Sequence, residues 1–379
     1  MMPRNFYSDG NPFSPYNVRM KLNRFPLPFL FLAILGLLAA LWAGLMRLGW
    51  SLPALTPSLA MLHGPLMISG FLGTLIALER AVAIKLKWMY LPPLLSGLGW
   101  LVSVSGVFPP FGLILLTLAS LGGVAILAEM TRRETALHTV TMLVGMMAWL
   151  AGNLLWLFGW QIHQVVFFWM AFLVLTIAGE RLELSRVLRP SQPQRILFSV
   201  IAAIFLAGVL LTLADIQLGT RVSGLGLLLL ALWSFPNDIA WRNIRHNLPL
   251  TRYIAWCLAL GFIWLGIGGG LSLGFGAQVA GPRYDAILHV VFVGFVISMI
   301  FGHAPIIFPA ILGIPINFQP AFYIHLALLH LSLAVRVAAD FANQHPLRMW
   351  GGLLNEIAIL LFIGMTVYSV RKGMIAKGV

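Results

Sequence analysis

The feature that most constrains the fold of this chain is a series of apolar runs, each about 20 residues long, separated by short polar segments. A run of that length crosses the hydrocarbon core of a bilayer as an α-helix, in which every backbone group finds a partner within the segment. The chain is 60% hydrophobic and only 9% charged, which excludes an ordinary soluble domain. The sequence therefore predicts an all-α, polytopic membrane protein.

About twelve spans are expected, within a single transmembrane domain at 26–379 that follows a tail at 1–25. The spans lie at roughly 26–49, 57–79, 88–107, 109–128, 136–159, 162–180, 196–215, 219–240, 252–275, 284–309, 318–340 and 347–370. No polar segment between them is long enough for a soluble domain.

Basic residues indicate the orientation of these spans. Of the 24 lysines and arginines, five fall at or towards one side of the membrane: Arg47, Arg221, Arg283, Arg336 and Arg348. The others lie on the opposite side, which the positive-inside rule assigns to the cytoplasm of a bacterial inner membrane. Both termini are therefore predicted to be cytoplasmic. The net charge of +13 is explained by topology, and we expect no nucleic-acid partner.

A histidine stands near the start of every fourth span, at His63, His163 and His289. The distance from His63 to Glu79 is 16 residues and that from His163 to Glu180 is 17. This recurrence predicts three pseudo-repeats of four helices, at about 26–128, 136–240 and 252–370. The three histidines are then expected at one depth, near the outer surface.

Charged and helix-breaking residues mark the inner ends of the same spans. Arg80 and Arg181 directly follow the two glutamates, so we expect interfacial ion pairs that close each repeat, with proton uptake as the alternative. Pro305 and Pro309 lie late in the tenth span and predict a break or kink there.

Buried imidazoles make haem the leading cofactor hypothesis, because neutral histidine is a good ligand for haem iron and copper. We expect b-type haem held by His63 and either His289 or His330 from a facing helix. Arg336, near the outer boundary of the eleventh span, is expected beside a haem propionate. An aspartate or the lipid headgroup region is the alternative partner for this arginine.

Copper is the second candidate cofactor, with His163, His303 and His325 as its candidate ligands. His303 follows His289 by 14 residues, which on a regular helix places both on one face about 21 Å apart. We therefore expect His303 and His325 to form or border a separate inner site. The alternative is that each is hydrogen-bonded to a carbonyl freed by a proline.

Three short motifs stand in span order: His63-Gly64-x-x-Met67, then Gly179-x-Arg181, then His289-x-x-x-x-Gly294 followed by Gly302-His303. Together they resemble the NnrS family, twelve-span bacterial membrane proteins associated with haem, copper and the response to nitric oxide. A wider likeness is to the catalytic subunit of haem-copper oxidases, with its twelve spans and a His-Gly near the outer end of the second. The adjacent histidines and the His-x-His of that reaction centre are absent from this sequence.

The resemblance implies a membrane protein that binds haem, with copper as a second candidate metal. It also implies that the protein handles nitric oxide or related nitrogen oxides. Two other functions stay open: a divergent haem-copper oxidase or nitric oxide reductase subunit, and a proton-coupled transporter or channel with relay histidines. The expected partners are membrane lipid, nitric oxide or another small gas, and an electron donor or partner subunits.

Overall fold

The computed structural model describes residues 23–54, 56–106, 109–313 and 317–375, and every regular element in these ranges is helical. The all-α prediction is confirmed for this part of the chain. Its twelve long helices, α1 to α12 in chain order, are Leu27–Leu48, Leu59–Ile84, Leu91–Ser105, Pro109–Arg133, Leu137–Leu157, Ile162–Leu184, Gln192–Leu211, Ile216–Asn237, Pro249–Phe275, Pro282–Leu312, Phe322–Phe341 and His345–Ile375.

Eleven of these helices are long and apolar enough to cross a membrane. The exception is α3, which has only 15 residues although the sequence predicts a span at 88–107. Pro92 and Pro93 occupy its first turn, and Gly106 ends it with a φ of +68°. Proline is favoured at a helix start and a left-handed glycine at a helix end, so both boundaries are set locally.

Helices α2, α6 and α10 form the centre of the bundle. The apolar windows of α2, α6 and α10 are 56%, 78% and 78% buried, and no other membrane-length helix of the described chain exceeds 50%. The final turns of two of them meet, because Val82 of α2 lies in one apolar cluster with Ile311 and Leu312 of α10. Every fourth helix is thus an inner one, in agreement with the spacing of the sequence repeat. The equivalence of three four-helix units stays a prediction.

The two ends of the described chain lie at the same end of the bundle. The backbone N–H of Asn23 donates to the carbonyl of Leu312, at 2.9 Å, where α10 finishes. Near the other terminus, the Ser369 hydroxyl donates to the carbonyl of Asn317, in the segment between α10 and α11. The chain therefore enters and leaves on one side, and the assignment of that side to the cytoplasm stays a prediction.

Two of the three central helices contain a π-helical stretch. Leu66–Gly73 follows His63 in α2, and Val290–Ile297 follows His289 in α10. A π turn takes an extra residue and widens the helix, and such turns occur mostly at functional sites. Helix α6, described throughout, has no such stretch.

The prolines of α10 do not interrupt the helix, so the expected break is absent, and the alternative of a kink stays a prediction. The helix continues through Pro305 and Pro309 and ends at Leu312, where Gly313 adopts a φ of +71°. The departure from α-helical geometry lies earlier, in the π-helical stretch. Within this stretch, Gly294 lets α10 pack closely on α9, since a Cβ on Gly294 would lie 2.5 Å from the Trp264 indole.

Candidate functional site

A cavity of about 280 Å³ lies at the end of the bundle where α2, α6 and α10 begin. Its size is near the lower bound of about 300 Å³ for cofactor and small-molecule pockets. Side chains of five helices supply its charged, imidazole and amide lining, which consists of Arg47, His63, Asp285, His289, Arg336, Arg348, Asn355 and Glu356. We call this space the histidine cavity.

His63 of α2 and His289 of α10 lie side by side in this cavity. Their ring centroids are 6.2 Å apart and their ring planes differ by 19°. A metal–imidazole bond of about 2 Å on each side separates the centroids of two axial imidazoles by roughly 6 Å. The centroid separation of the two rings is therefore compatible with one metal ion held between them.

The backbone of α1 sets the tautomer of His63. The Nδ1 atom of His63 lies 2.7 Å from the carbonyl oxygen of Ala40. Because a carbonyl only accepts, Nδ1 carries the proton and Nε2 keeps a lone pair. Nε2 has no hydrogen-bond partner among the described residues. The ring is also held by close packing, since a Cβ on Gly44 would lie 2.9 Å from its Cε1 atom.

His289 has the same tautomer, but its Nε2 atom is occupied. Its Nδ1 lies 2.8 Å from the carbonyl oxygen of Asp285, one turn earlier. Its Nε2 accepts a hydrogen bond from Nη2 of Arg336, at 3.2 Å. Arg336 also donates two bonds of 2.8 Å each to the Asp285 carboxylate. Of the partners considered for this arginine from sequence, the aspartate is the one present.

His330 is fully engaged by its own neighbours and does not line the cavity. The Trp264 indole donates to its Nδ1 at 2.9 Å, so its Nε2 carries the proton. That nitrogen faces the Ser298 hydroxyl oxygen at 3.2 Å, and the hydroxyl donates in turn to the Cys257 carbonyl at 2.6 Å. His330 has no lone pair left for a metal.

His163 stands at the level of the cavity without lining it. It is half-buried in the first turn of α6. Its neighbours Ile162 and Val166 do line the cavity, so the third central helix also begins at this depth. His163 therefore lies at about the depth of the other two histidines, as predicted. Of the three rings, His63 and His289 are the two that lie close to each other.

The two remaining copper candidates have separate partners. Nδ1 of His303 donates to the Met299 carbonyl at 2.7 Å, and its buried Nε2 has no partner. Nε2 of His325 lies 2.9 Å from the Tyr253 hydroxyl. Among the described residues, no three histidine, cysteine or acidic side chains are grouped so as to hold a metal ion. The structure does not bring His163, His303 and His325 into one site.

Buried ion pairs occupy the opposite end of the central helices. Arg80 of α2 pairs with Glu180 of α6. Arg181, next in the chain, makes a bidentate pair with Asp238 just after α8, at 2.8 and 2.7 Å. Ion pairs were expected here, but they join different helices rather than closing each repeat on itself. We call these four residues the arginine cluster.

Sequence reasoning missed five polar residues of the histidine cavity: Arg47, Asp285, Arg348, Asn355 and Glu356. Asn355 donates to the Leu329 carbonyl at 3.1 Å, while its buried Oδ1 atom has no partner. Glu356 is 8% exposed, and its Oε1 atom lies 3.1 Å from where a Cβ on Gly44 would stand. The available signal was an acid and an amide inside an apolar span, which are rare without a role.

The cavity residues fit the haem that the family resemblance implies. Two imidazoles at ligating separation offer Nε2 atoms, one of them free. Aromatic walls come from Trp169, Tyr284 and Phe292, which suit a flat apolar ring system. The donor chemistry and the lining therefore match a bis-histidine b-type centre.

Comparison with known proteins gives one match. The model of the family described as Domain of unknown function (DUF8744) matches residues 24–371. No curated protein and no solved structure matches the sequence. Because the family match covers nearly the whole chain, the protein belongs to the family described as Domain of unknown function (DUF8744).

Proposed function

We propose that this membrane-embedded protein binds b-type haem in the histidine cavity and acts on nitric oxide or a related nitrogen oxide. The observation that carries the haem proposal is the pair formed by His63 and His289. Their ring centroids lie 6.2 Å apart, near the beginning of two central helices. The nitrogen-oxide part rests on the resemblance to the NnrS family. Under this proposal the protein lies in a bacterial inner membrane with both termini cytoplasmic.

Different residues of the cavity would contact different parts of such a group. His63 and His289 would hold the group through their Nε2 atoms, and the carbonyls of Ala40 and Asp285 fix the two rings. Arg47 lines the rim and has no ion-pair partner in the described chain, so it suits a propionate better than Arg336 does. Bound haem supplies a redox-active iron that takes small gases as ligands.

A proton-coupled transporter is the second candidate. It is favoured by acids at both ends of the central helices, the buried Glu356 in the histidine cavity and the partly buried Glu180 in the arginine cluster. Acids inside membrane spans are typical of proton pathways. This function requires no haem, and a divergent reductase subunit would require haem together with an electron donor.

A pyridine haemochrome assay of the purified protein tests the proposal. We expect about one b-type haem per chain and an anaerobic shift of the Soret band when nitric oxide is added. The His63→Ala/His289→Ala double variant, purified in parallel, measures contaminating cytochromes. Equal haem in both preparations would contradict the proposed site, and copper counted in the same samples tests the other metal. Proton flux in liposomes from haem-free protein would favour the transporter.

A further inference from the structure

We infer that Arg336 makes His289 a releasable ligand, whereas His63 is a permanent one. The inference rests on the proposed function, because it concerns how the same two histidines hold a metal centre. A small diatomic ligand then has a binding position on the side of His289. The two histidines differ in one atom: Nε2 of His63 is free, and Nε2 of His289 accepts from Arg336 at 3.2 Å.

The ring of His63 is fixed in its ligating orientation. The bond of 2.7 Å to the Ala40 carbonyl holds one edge. A Cβ on Gly44 would lie 2.9 Å from its Cε1 and 3.0 Å from its Nδ1, so α1 packs directly on the ring. No described donor competes for Nε2, and ligation by His63 breaks no hydrogen bond.

The ring of His289 is already held by hydrogen bonds within the protein, which compete with metal ligation. Asp285 holds both partners, because its carbonyl accepts from Nδ1 of the ring and its carboxylate binds Arg336 through two bonds of 2.8 Å. The backbone of Arg336 cannot retreat, since a Cβ on Gly351 would lie 2.9 Å from it. The guanidinium therefore stays within reach of the ring whether or not His289 ligates a metal.

Arg336 thus opposes ligation by His289 and stabilises its release. A hydrogen bond from a charged donor is lost when Nε2 binds a metal, which weakens that ligation by about 10- to 100-fold. If the cavity held haem, the same hydrogen bond would favour the state in which a diatomic ligand replaces His289, by the same factor. His63 would hold the group in both states.

Carbon monoxide binding to the reduced haem protein tests this, with the Arg336→Met/Asp285→Asn variant. The double change avoids leaving Asp285 unpaired and preserves its backbone carbonyl. We expect carbon monoxide to bind about 10- to 100-fold more weakly than to wild type, with a larger low-spin fraction in the absorbance spectrum. The matched control is Arg181→Met/Asp238→Asn, which removes a buried bidentate arginine–aspartate pair at the opposite end of the bundle and leaves the histidine cavity untouched. Unchanged affinity, or an equal change in the control, would overturn the inference.

Single histidine variants give an independent readout that does not depend on the folding of the double variant. His289→Ala should keep its haem and bind carbon monoxide more tightly, since the competing ligand is gone. His63→Ala should lose its haem. Equal haem loss in both would overturn the asymmetry while leaving the shared site intact. Absence of haem from the wild type would instead contradict the proposed function.

Discussion

The polar residues near the two ends of helix α2 differ in whether their hydrogen-bonding atoms have partners within the protein. At the histidine cavity, Nε2 of His63 has no partner in the described chain. At the arginine cluster, Arg80 pairs with Glu180, and Arg181 binds both carboxylate oxygens of Asp238. Polar groups inside a bilayer are costly, so each must be kept for a contact within the protein or for a ligand. The paired charges of the cluster stabilise the bundle, whereas the free Nε2 of His63 is the group that the proposed ligand requires.

The largest effect expected from the proposed function is loss of haem from the cavity. His63→Ala removes the cavity imidazole whose Nε2 is free, so the Soret band of the purified protein should disappear. His163→Ala is the control, because His163 lies at the same level without lining the cavity. Haem loss in both variants, or in neither, would remove the distinction between the two histidines.

The next largest effect belongs to the arginine cluster. Asp238→Asn leaves Arg181 buried without its counter-charge, which should lower the free energy of unfolding by about 3–5 kcal/mol. Thermal unfolding in detergent measures this, and haem per folded protein should stay constant. Arg132→Gln is the control, since Arg132 pairs with Glu129 at a side-chain exposure of 75% and such pairs contribute about 1 kcal/mol or less. Similar Tm shifts in both would contradict a structural role for the cluster.

A smaller effect is expected when a larger neighbouring side chain crowds the ring of His63. Gly44→Ala places a methyl group 2.9 Å from the His63 ring and 3.1 Å from the Glu356 carboxylate, a misfit that costs about 1–3 kcal/mol. Haem affinity, measured by titration of the haem-free protein, should fall by about 10- to 100-fold. Gly270→Ala should leave it unchanged, because a Cβ there meets nothing within 4 Å. An unaffected Gly44→Ala variant would show that the ring is free to shift.

The smallest effect concerns the π-helical stretch of α2. The Ser69 hydroxyl accepts from the Trp149 indole at 3.0 Å and donates to Asn153 at 3.3 Å. Ser69→Ala should cost about 1 kcal/mol and leave the haem spectrum unchanged, because Ser69 does not line the cavity and both bonds join it to α5. Ser199→Ala, at an exposed hydroxyl, is the stability control. A shifted Soret band in Ser69→Ala would connect this network to the ligand site.

The architecture could be predicted from sequence because it depends on chain-local signals. Span length and apolar composition predict the helices, and the recurrence of His63, His163 and His289 agrees with the three inner ones. The exception, α3, is shortened by Pro92, Pro93 and Gly106, which a window of average hydropathy does not register.

The site could be predicted only in part because its contacts join distant helices. The choice between His289 and His330 depends on the rotation of α10 and α11, which the sequence does not give. The shared face expected for His289 and His303 assumed a regular helix, and the π-helical stretch Val290–Ile297 between them breaks that rotation. The Asp285–Arg336 pair spans 51 residues, and nothing local predicts it.

An experimental map of the haem-loaded protein in detergent tests the central claim most directly. The account predicts planar density with an iron peak inside the histidine cavity, bonded to Nε2 of His63 and beside His289. Iron elsewhere in a haem-loaded sample, at His330 or His303 for example, would contradict it.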